Sequence, residues 1–82
     1  MLKAYYYTCA DYNGVLITDG AKAFDVPEFP QDGTIEEARN ADMCGLDDCE
    51  TVEEAKQYIG TEISFFDFAA SDYDTIEEIK VF

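Results

Sequence analysis

The stretch from Asp32 to Gly60, DGTIEEARNADMCGLDDCETVEEAKQYIG, decides how this chain folds because it carries one helix-starting signal twice. The signal reads TIEEAR at 34–39 and TVEEAK at 51–56. In each copy the threonine hydroxyl can accept a hydrogen bond from the third helical N–H, and the third-position glutamate can reach back to the threonine N–H. The glutamates also lie where the helix dipole is positive. We therefore predict a short helix at each copy, with its first turn carrying negative charge.

The two predicted helices end at different signals. The first begins at Thr34 and should end near Cys44, with Gly45 as the left-handed residue at its C-terminus. Its apolar side is thin, so it should bury little area. The second runs over residues 51–59 and stops at Gly60, which cannot extend a helix without cost.

Strand patterns precede these helices. Residues 2–8 are rich in aromatic side chains and alternate in a way that predicts a strand. Asn13 and Gly14 predict a hairpin turn, because both tolerate positive φ. Residues 15–18 return as a second strand whose apolar run indicates burial on both faces or a central position, and 21–26 could form a third.

Further strand patterns follow the helices. Residues 27–33 form a connector, since their two prolines lack N–H donors. The alternation over 62–68 predicts a strand, and 75–82 favours a terminal strand paired with it as a hairpin, with a short helix left open as the alternative. The resulting order, ββ(β)ααββ, predicts an α+β fold: a small antiparallel sheet of four or five strands with two short helices on one face.

The charge balance limits the possible functions. The chain has 19 aspartates and glutamates against five lysines and arginines, a formal net charge of −14, and no histidine. Because the basic residues are scattered, we expect no direct binding to nucleic acid and no association with anionic membranes. The potential favours a basic protein partner. We also expect one domain over residues 1–82, located in the cytoplasm, as a monomer or small homo-oligomer.

The densest acidity lies between Glu28 and Glu54, where Arg39 is the one basic residue. If the helices pack side by side, their carboxylates should form two rows that imitate part of the phosphate charge pattern of DNA. The alternative is a solvated face that only keeps the protein soluble. The predicted partner-binding residues are eight carboxylates: Glu36, Glu37, Asp42, Asp47, Asp48, Glu50, Glu53 and Glu54.

Catalytic and metal-binding chemistry find little support in the sequence. We predict that the three cysteines, Cys9, Cys44 and Cys49, are reduced thiols that pack as small apolar side chains. Their spacing does not supply the four ligands of a structural zinc site. The acidic pairs lack the ligand alternation of a calcium loop. Neither a Ser–His or Cys–His pair nor a phosphate-binding glycine loop is present. We therefore expect a non-enzymatic protein without a cofactor or a specific metal ion.

The N-terminal tyrosines leave two interpretations open. Tyr5, Tyr6, Tyr7 and Tyr12 could anchor a protein interface, as exposed tyrosines often do. They could equally pack on the two faces of the sheet.

Two short stretches resemble known families. FDVPEFP at 24–30 followed by GTIEEA at 33–38 resembles the strand-to-helix junction of HicB-type antitoxins, although this chain lacks the strand that separates the two motifs there. That resemblance implies a double-stranded-RNA-binding-like domain that neutralises a small basic toxin. ADYNG at 10–14, together with the acidity, resembles the antirestriction DNA mimics. No site residue is carried over from either family.

These observations favour a small acidic interaction module that binds a basic surface on another protein. Its sharpest form is inhibition of a nucleic-acid-binding enzyme by DNA mimicry. An antitoxin-like subunit that neutralises a small basic toxin is the second hypothesis, in which apolar contacts dominate and charge mainly speeds encounter. A domain with no charge-specific partner is the third.

Overall fold

A computed structural model of the chain describes residues 1–27, 29–41, 45–60 and 63–82. The strands form one antiparallel sheet in the order β4-β3-β2-β1-β5. This confirms the predicted α+β fold, to which a short 3-10 helix at Ala70–Asp72 is added. In chain order the main elements are β1 (Lys3–Thr8), β2 (Asn13–Thr18), β3 (Lys22–Asp25), α1 (Ile35–Arg39), α2 (Val52–Ile59), β4 (Phe66–Asp67) and β5 (Thr75–Val81).

Strand β2 is the middle strand of the sheet, which confirms the central position that its apolar run predicted. Val15 and Ile17 point to the face covered by the helices, whereas Leu16 points to the opposite face. All three side chains are almost completely buried. Burying a side chain of this kind contributes roughly 1.5–3 kcal/mol, so this strand supplies apolar contacts to both sides of the sheet.

Both helices pack on the same face of the sheet, as predicted. Ala38 of α1 and Val52 and Ala55 of α2 have no exposed surface and join the apolar cluster on that face. Phe29 of the proline-rich connector joins the same cluster and meets Tyr6 edge-on, with ring centroids 6.3 Å apart. The sheet contributes Leu2, Ala4, Tyr6, Val15, Ile17 and Phe24 to it.

The opposite face of the sheet is covered by residues 68–74, which we call the strap. Since β4 and β5 lie at opposite edges, the strap has to cross the sheet between them. Phe68 stacks on Tyr5 with ring centroids 5.5 Å apart, and Tyr73 lies 4.5 Å from Tyr7. The aromatic strand β1 is therefore buried from both sides.

The predicted hairpin between the last two strands is wrong. Strand β5 pairs with β1, and β4 pairs with β3. Alternation separates side chains between the two faces but does not determine the neighbouring strand. Ile63 and Phe65 pack on the helix side, and Phe66 packs on the strap side. Among the described residues of the predicted strand, which are 63–68, Phe66 and Asp67 make ladder pairs.

The predicted turn at Asn13 and Gly14 is also wrong. Both residues belong to β2, where they pair with Thr8 and Tyr7, and neither has positive φ. The reversal lies earlier, where Cys9 N–H donates to Tyr12 O at 2.8 Å. The glycine is needed for packing instead, because a β-carbon there would clash with the Tyr7 hydroxyl oxygen and ring.

Helix α1 is shorter than predicted. It ends at Arg39 rather than near Cys44, which lies outside the described residues, and Gly45 has positive φ without capping it. Asn40 closes the helix instead: its side-chain amide and its backbone N–H both donate to Glu36 O, at 2.9 and 3.2 Å. Polar caps of this kind compete with further helical turns.

Replacing Gly14 with alanine should displace the Tyr7 ring and destabilise the protein by about 1–3 kcal/mol, a typical cost of overpacking. Urea unfolding followed by circular dichroism measures the change. In a Tyr7→Leu background the same replacement should cost clearly less, because the clashing ring is gone. An equal cost in both backgrounds would show that the glycine is needed for another reason.

Candidate partner-binding surface

The two helix starts are built as the repeated sequence signal predicts, with one difference. Thr34 Oγ1 accepts from Glu37 N–H at 3.2 Å, and Thr51 Oγ1 accepts from Glu54 N–H at 3.3 Å. The glutamate side chains contact the threonine hydroxyls, at 3.3 and 3.4 Å, rather than the threonine backbone N–H groups that were predicted. Each cap therefore fixes the position of one carboxylate at the helix surface.

Burial of the small side chains of both helices turns their acidic residues outward. We call the predicted carboxylates that the structure describes the acidic helical surface, and every one of them is exposed: Glu36, Glu37, Asp47, Asp48, Glu50, Glu53 and Glu54. Asp42, the eighth predicted residue, lies outside the described residues. The arrangement of these side chains in two rows stays a prediction.

The five basic side chains of the protein are engaged elsewhere. Arg39 Nη2 lies 3.0 Å from Glu77 of β5, Lys3 lies 3.2 Å from Glu78, and Lys22 lies 2.6 Å from Asp67. The hydrogen bond to Asp67 is the largest cause of a raised pKa at Lys22, and the charge of Glu53 adds a smaller share.

The other two lysines lie over aromatic rings. Lys56 Nζ is 5.5 Å from the centroid of Phe65, and Lys80 Nζ is 4.9 Å from that of Phe82. Such contacts are worth roughly 0.5–1 kcal/mol at exposed sites. Together with the three ion pairs, they direct all five cationic groups to partners outside the acidic helical surface.

Glu50 is the member of the acidic helical surface with an ion pair in the described part of the chain. Its Oε2 lies 3.0 Å from the N-terminal ammonium of Met1. Both groups are mostly exposed, at 65% and 77%. Exposed pairs contribute about 0–1 kcal/mol and weaken in salt, so this contact leaves most of the negative charge uncompensated.

Asp19 is a carboxylate with a structural role that the sequence did not predict. Its Oδ1 accepts from the N–H groups of Ala21 and Lys22, at 3.0 and 2.9 Å, and its Oδ2 accepts from Val52 N–H at 3.3 Å. It therefore joins the β2–β3 turn to the first residue of α2. The Asp-Gly turn signal was visible in the sequence, but a partner 33 positions away was not.

The surroundings of Asp19 lower its pKa. Burial alone would raise the pKa, but the N–H donors of Lys22, Ala21 and Val52 outweigh it and hold the value below the ordinary one. Hydrogen bonds to the charged form of a carboxylate act in this direction. The ionised form thus stabilises the attachment of α2 to the sheet.

The surroundings of Cys49 do not activate its thiol. Cys9 and Cys49 are free, and Cys49 is buried. Burial raises the pKa of Cys49, and the charges of Glu54 and Asp48 raise it further. A thiol with a raised pKa is a poor nucleophile. Over the described ranges, no three cysteine, aspartate or glutamate side chains are grouped to hold a metal ion.

The tyrosines divide between packing and exposure. Tyr6 and Tyr7 are buried on opposite faces of the sheet, and Tyr5 is half-buried under the strap. Tyr12 is 41% exposed and Tyr58 is 61% exposed. The Tyr58 ring lies against Gly45, since a β-carbon there would be 3.2 Å from its Cδ1. An exposed aromatic ring held in place on α2 can serve as an interface anchor.

Comparison of the chain with protein-family models, with curated proteins and with solved structures finds no significant match. Among the residues that the structure describes, no helix is both long enough and apolar enough to cross a membrane.

Replacing Asp19 with alanine should cost about 1.5–3 kcal/mol at neutral pH, the range for hydrogen bonds to a charged group. The pKa is lower in the folded protein than in the unfolded chain. The stabilisation is therefore present above the unfolded value, about 3.9, and is lost as the pH falls through the folded value. Urea unfolding at a series of pH values measures this effect. The free energy of unfolding of the variant should fall less steeply with decreasing pH than that of the original protein.

The matched control is Asp11→Ala, which removes an exposed carboxylate from the β1–β2 loop. It should leave both the neutral stability and the acid slope close to those of the original protein. If Asp19→Ala behaves like this control, the carboxylate does not hold α2 in place.

Proposed function

We propose that the protein is a small non-enzymatic interaction module whose acidic helical surface binds a basic surface on another protein. The observation that supports this most is the placement of the basic side chains. The molecule has enough cations to neutralise most of that surface, yet all five contact carboxylates or rings elsewhere. This separation of charge leaves the acidic helical surface available to a cationic partner.

Inhibition of a nucleic-acid-binding enzyme by charge mimicry is the most specific form of the proposal. Such an enzyme presents a basic groove that holds phosphates, and uncompensated carboxylates on two helices and their connector offer it an alternative ligand. Charge complementarity of this kind raises the association rate and suppresses wrong partners. The free thiols at Cys9 and Cys49 suit a reducing compartment such as the cytoplasm.

An antitoxin-like subunit is the second candidate, and Tyr58 is the observation that favours it. An aromatic side chain that stays 61% exposed while resting on Gly45 would bury substantial apolar area against a partner. In that case apolar contacts would dominate the affinity, and the surrounding carboxylates would mainly guide a small basic toxin to the site.

Changing Glu36, Glu37, Glu53 and Glu54 to glutamine should abolish partner binding while leaving folding intact. Glutamine keeps the size of each side chain and the backbone caps at Thr34 and Thr51, but it removes four charges. Affinity capture from the native host's lysate at about 50 and 200 mM salt measures binding. Mimicry predicts a loss of affinity of about tenfold or more over that salt range, because screening shortens the reach of exposed charges.

The control variant removes the same number of charges outside the acidic helical surface, at carboxylates that pair with none of the five cations: Asp11→Asn, Asp32→Asn, Asp72→Asn and Asp74→Asn. It should capture the partner as the original protein does. Equal losses in both variants would show that net charge alone drives the interaction. Excess duplex DNA should displace the captured protein under mimicry, and should leave it bound under the antitoxin-like hypothesis.

A further inference from the structure

A cavity of about 200 Å³ lies beside the first residues of β2, where β3 has already ended. Two backbone hydrogen bonds hold its walls together: Val26 N–H donates to Val15 O at 2.9 Å, and Asn13 N–H donates to Gln31 O at 2.7 Å. The side chains that give the cavity its chemical character are Tyr7, Tyr12, Asn13, Asp25, Phe29 and Gln31. Its described lining includes neither a lysine nor an arginine.

The polar centre of the cavity is one carboxylate held by a buried phenol. Tyr7, 3% exposed, donates its hydroxyl to Asp25 Oδ1 at 2.6 Å. Burial raises the pKa of Tyr7 strongly, and the hydrogen bond to Asp25 raises it further, so the phenol keeps its proton. The pair therefore carries one negative charge, while Asp25 itself remains exposed.

Aromatic rings flank this charge. Tyr12 is 41% exposed and meets Tyr7 edge-on, with ring centroids 5.9 Å apart. Phe29 lines another part of the cavity while it packs on the helix-side cluster. Gly14 leaves room for the Tyr7 ring, and the hydroxyl of that ring holds the Asp25 carboxylate by the hydrogen bond described above. A carboxylate beside aromatic rings attracts a planar cation through both charge and stacking.

We propose that this cavity binds the guanidinium group of an arginine side chain presented by the basic protein partner. Guanidinium is weakly hydrated, pairs with carboxylates and stacks on aromatic rings, whereas ammonium is compact and strongly hydrated. The net charge of −14 raises the local concentration of such cations. The inference rests on the proposed function only for the source of the arginine, since none of the carboxylates of the acidic helical surface is in the described lining of the cavity.

The test uses the capped tripeptide acetyl-Gly-Arg-Gly-amide as the probe and its citrulline counterpart as the neutral isostere. Two-dimensional ¹H–¹⁵N NMR titration should show shifts confined to amides around the cavity, including Asn13, Gly14 and Gln31. The dissociation constant should be on the order of 1–10 mM, as expected for one ion pair with a ring contact. The citrulline peptide should give no shifts at these positions.

Two variants locate the site. Asp25→Asn should weaken binding about tenfold, as loss of a charge-assisted contact does, while the amide still accepts the Tyr7 hydrogen bond. Tyr12→Ala, which removes an exposed ring, should weaken it severalfold. Asp11→Asn, an equal charge change outside the cavity lining, should leave it unchanged. Equal effects of Asp25→Asn and Asp11→Asn, or shifts with the citrulline peptide, would overturn the proposal.

The helical variant with glutamine at 36, 37, 53 and 54 separates this inference from the proposed function. It should still bind the arginine peptide in the cavity. If the protein captures a partner from the lysate but the cavity does not bind the arginine peptide, only the proposal of an arginine site is contradicted. If the cavity binds the peptide but the helical variant captures the partner normally, only the acidic helical surface fails.

Discussion

The sheet carries apolar side chains on both faces, and the need to cover both governs the rest of the structure. Val15 and Ile17 require cover on one side of β2, and Leu16 requires it on the other. An 82-residue chain has little material for two layers. Two short helices cover one face of the sheet. The strap at 68–74 covers the other face with the rings of Phe68 and Tyr73.

The small size of these two covering layers explains the electrostatic character of the surface. The helices bury small residues, of which Ala38 and Ala55 are examples, so their remaining sides face solvent and carry the glutamates that start them. Meanwhile the cations stabilise the edges of the sheet: Lys22 joins β3 to β4, and Arg39 joins α1 to β5. Starting the two helices thus places carboxylates on the surface that we propose a basic partner binds, and Tyr58 of α2 is exposed as well.

Local signals in the sequence predict most of the elements but not their partners. The repeated TxEE motif located both helix starts, and Gly60 ended α2 as expected. Most of the failures concern choices between distant segments; the early end of α1 is the exception, since Asn40 sets it locally. Nothing local in TIEEIKV shows that β5 pairs with β1 rather than with β4, and the pair Asn13-Gly14 looked like a turn because its glycine accommodates Tyr7 instead. Asp25 in the cavity was missed for the same reason, since its partner Tyr7 lies 18 positions away.

The acidic helical surface can attract a basic partner only if the protein's own cations leave most of its negative charge unneutralised. The most direct test measures amide-proton relaxation caused by cationic, neutral and anionic paramagnetic cosolutes of equal size, which reports the electrostatic potential near each residue. The account predicts a more negative potential around the amides of 35–39 and 46–54 than around those of β5, where Lys3 and Arg39 are paired. An equal or less negative potential around the helices would contradict it.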